Sequence, residues 1–297
     1  MSEESISERT NLIGQILRNK FEEIENLALN NKYSGVPVCF YDYDHMTQGL
    51  PRGGLIVIGG RPGMGKTAFS LNIALNVVKT QNLPVCIFNL QISKEQISNR
   101  FLSMEVGIES GKLKTGKIQH DEWSFLSEGI DYLSQLPLHI TEKSINSIPE
   151  MQNICQKIKK KSEKNSLGLV ILDYLPLLEN LPISELFNKE EYLLGLAKSF
   201  KTMAEELNVP VLVISPLSND LEKRNNKRPT LSDIRNFDQL ELYSDIVSLI
   251  YRDEYYNPET EDRGIAEIIT CKHRNGPLGT VKLLFEPQYT RYRNLAA

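Results

Sequence analysis

The stretch Gly60-Arg-Pro-Gly-Met-Gly-Lys66-Thr67 constrains this chain more than any other. It fills every fixed position of GxxxxGK[ST] with Gly60, Gly65, Lys66 and Thr67, and adds Gly63 inside the loop. The apolar run Leu55–Gly59 precedes it and the amphipathic run Ala68–Ala74 follows it. A strand, a glycine loop and a helix in that order form a cradle for phosphates. The glycines let backbone N–H groups curl around anionic oxygens, and the helix N-terminus adds the positive end of its dipole. Lys66 is placed to reach β and γ phosphates and Thr67 to offer a hydroxyl to Mg2+. ATP and Mg2+ are therefore the expected cofactors.

The rest of the chain alternates short β-rich runs with longer amphipathic ones. Strands are predicted at Leu55–Gly59, Val85–Asn89, Leu138–Ile140, Leu169–Leu172, Val211–Ser215 and Ile246–Tyr251. Helices are predicted at Lys66–Lys79, Ser93–Met104, Asp121–Gln135, Ile148–Lys161 and Glu190–Leu207. Continuous apolar strands separated by helices predict an α/β fold with a mainly parallel sheet covered on both faces. Ile265–Cys271 and Thr280–Phe285 flank Asn275-Gly276-Pro277, which predicts a C-terminal antiparallel hairpin. Asp173 closes the apolar run Leu169–Leu172, where a strand-end carboxylate can stand beside the phosphate loop and join Thr67 on the metal side. Ahead of all this, residues 1–10 read as a frayed polar start. Leu12, Ile16, Phe21, Ile24 and Leu27 then recur at helical spacing between Glu8 and Leu29. The expected organisation is an N-terminal arm with a helix over residues 1–33 and one domain over 34–297.

Composition excludes several classes. Lys plus Arg number 34 against 38 Asp plus Glu, a net charge of -4, so the chain has no strongly basic coat for nucleic acid. No apolar run approaches the ~20 residues that cross a bilayer, and MSEESISERT is too polar for a signal peptide. Cys39, Cys86, Cys155 and Cys271 are scattered without a CxxC pair, which suits a reducing cytoplasm or nucleoid. A local basic cluster does stand out: Lys223, Arg224, Lys227 and Arg228 are expected to bind DNA phosphates without reading sequence. Lys157–Lys161 reads as an exposed helix end, and Asp253–Asp262 with Tyr255 and Tyr256 as an exposed connection. Trp123 is expected to be packed. His45, His120 and His139 lack ligand-spaced partners and are expected to be structural.

Several segments together resemble replicative DNA helicases of the bacterial DnaB type. They are GGRPGMGKTAFSLNIA (59–74), FNLQISKEQ (88–96), LVILDYLPLL (169–178), LNVPVLVISPLS (207–218), KRPTLSDIR (227–235), YRDEYYNP (251–258) and GIAEIITCKHRNGPLGTVKLLF (264–285). The similarity runs from about Ser34 to the C-terminus, and the preceding helix looks like that family's linker helix. The resemblance implies a RecA-like motor domain in a six-membered ring around single-stranded DNA, made of copies of itself or of a related helicase, with ATP between subunits. It also implies other replication proteins as partners and a cytoplasmic, nucleoid-associated location. Residues 1–33 are too short for the family's N-terminal collar domain. By position, Lys66 and Thr67 match the family's phosphate lysine and Mg2+ hydroxyl, and Asp173 its Mg2+-side aspartate. Lys272 and Arg274 match the basic pair that reaches a neighbour's ATP. The cluster from Lys223 to Arg228 matches a region facing the channel.

Departures gather where the chemistry sits. The family carries a catalytic glutamate in a Ser-Leu-Glu-Met context, where this chain has Asn89-Leu90-Gln91-Ile92. A carboxylate can take a proton from attacking water, whereas an amide can only orient it. Pro216 stands where the family has a γ-phosphate-sensing Gln, and Pro176 and His273 also replace Gln. Arg235-Asn-Phe-Asp238 differs from the family's Arg-Glu-Ser-Gly. Two functional readings share these residues. One is an ATP-dependent helicase domain in DNA replication with weakened hydrolysis. The other is a hydrolysis-deficient nucleotide-binding subunit or regulator that joins a related helicase ring. The sequence leaves ATP turnover open.

Overall fold

The computed structural model describes residues 13–30, 33–141, 147–173, 189–234 and 237–295. The chain divides into two compact units, Met1–Ser34 and Gly35–Ala297. The expected frayed start, Leu12, the Leu27 side chain, the Tyr174–Pro176 segment and Arg235-Asn236 lie outside what is described.

The first unit holds helix α1, Ile13–Asn30. Ile13, Ile16, Leu17, Phe21, Ile24 and Leu29 are all exposed, so the apolar stripe predicted there is presented to its surroundings.

In the second unit, helix α2 (Tyr41–Thr47) precedes strand β1 (Leu55–Gly60), and helix α3 (Lys66–Gln81) follows it. Next come β2 (Val85–Asn89), α4 (Lys94–Val106), α5 (Ser110–Thr115), α6 (Glu122–Ser134), β3 (Leu138–Thr141), α7 (Ile148–Lys161) and β4 (Leu169–Asp173). The remainder is α8 (Lys189–Leu207), β5 (Val211–Pro216), α9 (Phe237–Tyr243), β6 (Ile246–Tyr251), β7 (Ile265–His273), β8 (Gly279–Glu286) and β9 (Arg291–Asn294). The strands form one sheet in the order β3-β2-β4-β5-β1-β6-β7-β8-β9. The first six are parallel and the last three antiparallel to their neighbours.

The parallel strands β1, β2, β4, β5 and β6 are buried at every position, as a sheet covered on both faces requires. Alternate residues of β1 feed opposite cores. Ile56 and Ile58 pack with Phe69, Leu71 and Phe101, whereas Leu55 and Val57 pack with Phe200, Met203 and Val213. Strand β7 buries every second residue up to Thr270, the pattern of a strand with one covered face. Helix starts follow their caps: Ser93 and Gln96 form a capping box on α4, and Ser147 with Pro149 opens α7.

Four elements were not expected. Helices α2, α5 and α9 are only six or seven residues long, too short for a periodic apolar pattern to develop. Strand β9 reads Arg-Tyr-Arg-Asn and is held by pairing with β8 rather than by its own apolar content. Trp123 also departs from expectation: it is exposed, on a face of α6 shared with exposed Ile130, while Phe125 and Tyr132 are exposed on the opposite side.

Candidate nucleotide-binding site

The phosphate loop leaves β1 at Gly60 and enters α3 at Lys66. Gly63 and Gly65 carry positive φ values of 81° and 95°, a region that side-chain-bearing residues avoid. The Lys66 ammonium lies over the loop and donates to the Arg61 carbonyl at 3.0 Å. Burial pushes its pKa down to about 8, against the opposing pull of the Asp173 carboxylate. A half-buried ammonium whose hydrogen-bond partner among the described residues is a carbonyl is poised for an anion.

Strand β5 lies between β1 and β4, yet Thr67 reaches across it from the first turn of α3. Its hydroxyl donates to Asp173 Oδ2 at 2.6 Å. Asn89 stands opposite Asp173 in the β2–β4 register and donates to the same oxygen at 3.2 Å. Asp173 Oδ1 is buried with no hydrogen-bond partner among the described residues, and burial raises the pKa of this carboxyl. A hydroxyl beside a carboxylate with one unsatisfied oxygen is the donor set that suits Mg2+. The residues present therefore fit a magnesium nucleotide.

The water-facing side is differently furnished. Asn89 Oδ1 accepts from the backbone N–H groups of Gln91 at 3.0 Å and Ile92 at 2.7 Å, which fixes the turn after β2. Gln91 itself is exposed. Pro216 pairs with Gly60 at the end of β5, so this strand end beside the loop offers no side-chain hydrogen bond. Arg100 is half-buried on α4; burial lowers its pKa, and the nearby Asp173 carboxylate opposes that shift. Sequence reasoning missed this residue. Its signal was a basic residue three positions after the buried Ile97 and next to the buried Phe101, on the inward edge of α4.

The other predicted site residues are not brought to this cradle. Lys272 pairs with Val247 and, through β6, lies level with Val57, three residues before Gly60 and so about 10 Å back along the strands. Its ammonium donates to the Glu241 carbonyl, and burial lowers its pKa. Arg274 donates to the Leu242 carbonyl at 3.2 Å and lies 3.5 Å from Asp245. Both cations thus sit at the C-terminal end of α9, facing away from their own phosphate loop.

The basic cluster is not a set of free cations. Arg224 pairs with Asp233 at 2.7 Å, and Lys223, though exposed, pairs with Asp220 at 2.7 Å. Lys227 donates to the Glu222 carbonyl, and Arg228 pairs with Glu267 while lying over the Tyr251 ring. Acidic partners up to 39 residues away in the chain offset three of the four cations, Lys223, Arg224 and Arg228, which lowers the cluster's pull on phosphates. Arg61 further ties this segment to the phosphate loop, pairing with Glu222 at 2.8 Å and donating to Asn219 at 2.7 Å.

The segment after β6 is likewise more than an exposed connection. Arg252 donates to the Gly63 carbonyl at 3.1 Å, Tyr256 donates to Glu222 at 2.9 Å, and the Tyr255 ring borders Gly63. The hairpin side of the sheet therefore lines the phosphate loop. Among the described residues, no group of His, Cys, Asp and Glu side chains forms a separate metal site. None of the described helices is long and apolar enough to cross a membrane.

Comparison with known proteins agrees with this geometry. Residues 35–294 match the family described as DnaB-like helicase C terminal domain. The chain is 38% identical to the replicative DNA helicase DnaB of Geobacillus stearothermophilus over 284 residues, covering 95% of this chain and 62% of that protein. It is 43% identical to a probable replicative DNA helicase of Trieres chinensis over 263 residues, covering 87% of this chain and 57% of that one. It thus spans about three fifths of the length of the curated relatives it matches. Among solved structures, one described as an ATPase domain superposes with a TM-score of 0.90 at 34% identity, covering 97% of this chain and 100% of that one. A DnaB-like replicative helicase studied with its primase interactions gives 0.87, also at 34% identity, covering 97% of this chain and 68% of that one. The sheet is the mostly parallel, RecA-like one of these ATPase domains, and the chain belongs to the DnaB-like helicase C-terminal domain family.

Proposed function

We propose that this chain binds Mg–ATP as the motor domain of a replicative DNA helicase, works as an oligomer on single-stranded DNA, and hydrolyses ATP slowly. The observation that carries the reading is the Thr67–Asp173 contact of 2.6 Å, with an Asp173 oxygen that has no partner among the described residues beside the half-buried Lys66. Bound Mg2+ would neutralise phosphate charge. Thr67 and Asp173 would hold it, while Lys66 and the loop amides bind the phosphate oxygens. Arg100 is placed to meet the far side of the phosphate chain. Gln91 can hydrogen-bond an attacking water but cannot accept its proton, so the chain lacks a base at that position.

Lys272 and Arg274 face away from their own cradle, so their action on ATP requires a neighbouring copy, whose transferring phosphoryl group they would stabilise. The apolar surfaces favour such assembly. A groove of about 340 Å³ between α4, α6 and β3 is lined by Phe101, Leu102, Ile130 and Leu133, and helix α1 of a second copy has the exposed apolar face to occupy it. DNA contact falls most naturally to Lys223, the most exposed of the four basic residues, with Arg224, Lys227 and Arg228 shaping its loop. The hydrolysis-deficient subunit remains the second reading, favoured by Gln91 together with Pro216. Phosphate release from Mg–ATP, with and without single-stranded DNA, tests the main reading. Tight nucleotide binding with slow release is expected; failure to bind Mg–ATP at all overturns both readings.

A further inference from the structure

The C-terminal strand contributes a group to the phosphate loop that no motif announces. Tyr292 of β9 is buried beneath the loop, packed on Phe69 at 5.2 Å and Phe285 at 4.5 Å between ring centres. Its backbone N–H donates to Asn72 Oδ1 at 3.0 Å. The Asn72 amide group donates to Thr290 O at 3.0 Å and to Ala68 O at 2.7 Å. Asn72 thereby fastens β9 to the first turns of α3. So anchored, the Tyr292 hydroxyl lies 3.2 Å from the Met64 carbonyl and 3.4 Å from the Gly65 carbonyl, one O–H shared between two acceptors. A Cβ on Gly65 would collide with this hydroxyl, so the loop and the phenol fit each other without spare space.

The geometry points to Tyr292 as a positioning residue for phosphate binding. In a planar trans peptide the C=O of one residue and the N–H of the next point in opposite directions. The Tyr292 hydroxyl holds the Met64 carbonyl on the protein side and shares the Gly65 carbonyl with the Phe69 N–H at 2.8 Å, which turns the N–H groups of Gly65 and Lys66 outward, into the cradle. Arg252 holds the Gly63 carbonyl from the end of β6, while the Met64 N–H closes the loop's own turn by donating to the Arg61 carbonyl at 3.3 Å. A nest of amides binds an anion well only if its carbonyls are kept out of it, because a single peptide flip would present a repelling oxygen. The deep burial of Tyr292, which pushes its phenol up in pKa, keeps the hydroxyl protonated and donating at any physiological pH.

This inference rests on the nucleotide reading above, and its test separates the two. Mg–ADP affinity is measured by calorimetry for the unmodified chain, Lys66→Ala and Tyr292→Phe. Tyr292→Phe keeps the ring and removes only the donor. A loss of about three- to tenfold in ADP affinity is expected, the size of one hydrogen bond. In the ADP-saturated chain, amide exchange at Gly65 and Lys66 should quicken while the middle of α3 is unchanged, a local signature that general destabilisation would not produce. If the unmodified chain binds and Lys66→Ala does not, the nucleotide reading stands. Unchanged ADP affinity and unchanged exchange in Tyr292→Phe then overturn the Tyr292 assignment alone. If the unmodified chain fails to bind ADP, both fall together.

Discussion

The two sides of the nucleotide cradle are built to different standards. On the phosphate side, the Arg61, Gly63, Met64 and Gly65 carbonyls each have a donor, and Thr67, Asn89 and Asp173 form one connected set. On the water side, an exposed amide and a proline stand where a proton acceptor and a phosphate sensor would complete the chemistry. Binding and turnover draw on separate residues here, so one can weaken while the other is kept. Under the proposed function, such a division predicts firm ATP binding with slow phosphate release.

The largest expected effect breaks the phosphate side. Lys66→Ala removes the half-buried ammonium and should abolish Mg–ATP binding by calorimetry while the chain still melts cooperatively. Equal affinity in the two proteins would mean that the loop is not a nucleotide site. The next sharpens the water side. Gln91→Glu restores a proton acceptor, a group commonly worth ~10²–10⁴ in rate. Pro216 has no side chain that can hydrogen-bond at the neighbouring strand end, so phosphate release should rise at least about tenfold yet stop short of that full range. No increase would move the deficiency away from Gln91, and brisk release by the unmodified chain would show that another group does the work.

The smallest effect is a pH dependence of the phosphate side. With its pKa lowered to about 8 before ligand binds, Lys66 is partly deprotonated above that value. A bound phosphate favours the charged form, so binding takes up a proton there. Affinity for Mg–ADP should be flat below about pH 7.5 and fall as pH rises through about 8 to 9, at most about tenfold per unit. Lys66→Arg, which keeps its charge over this range, should remove the slope even if it binds more weakly. A slope that persists in Lys66→Arg would assign the titration to another group.

How much of this was readable beforehand depended on how local the determining physics is. The parallel strands were legible because burial on both faces demands unbroken apolar runs such as Leu55–Ile58. The phosphate loop was legible because its spacing is set by backbone geometry within a few residues. Tyr292 was not, because its meaning depends on β9 pairing with β8 and on Asn72, 220 residues earlier. The pairing within the basic cluster was illegible for the same reason: Arg228 finds Glu267 only after β7 is in place. Asn89 illustrates a middle case, since its strand was predicted but its double use, on Asp173 and on the turn beneath Gln91, appears only in the assembled sheet.

The placement of Lys272 and Arg274 at the far end of the strands has a kinetic consequence. Under the role proposed above for Lys272 and Arg274, a chain whose cradle and whose cations point in opposite directions supplies half of two reaction centres and the whole of none. Copies must then meet head to tail through unlike surfaces, the arrangement that closes into rings when the rotation allows it. Turnover per chain would increase with protein concentration rather than stay constant. A copy lacking Lys66 and a copy lacking Arg274, each inert alone, would regain activity when mixed, because some junctions in the mixed assembly bring an intact cradle against an intact Arg274.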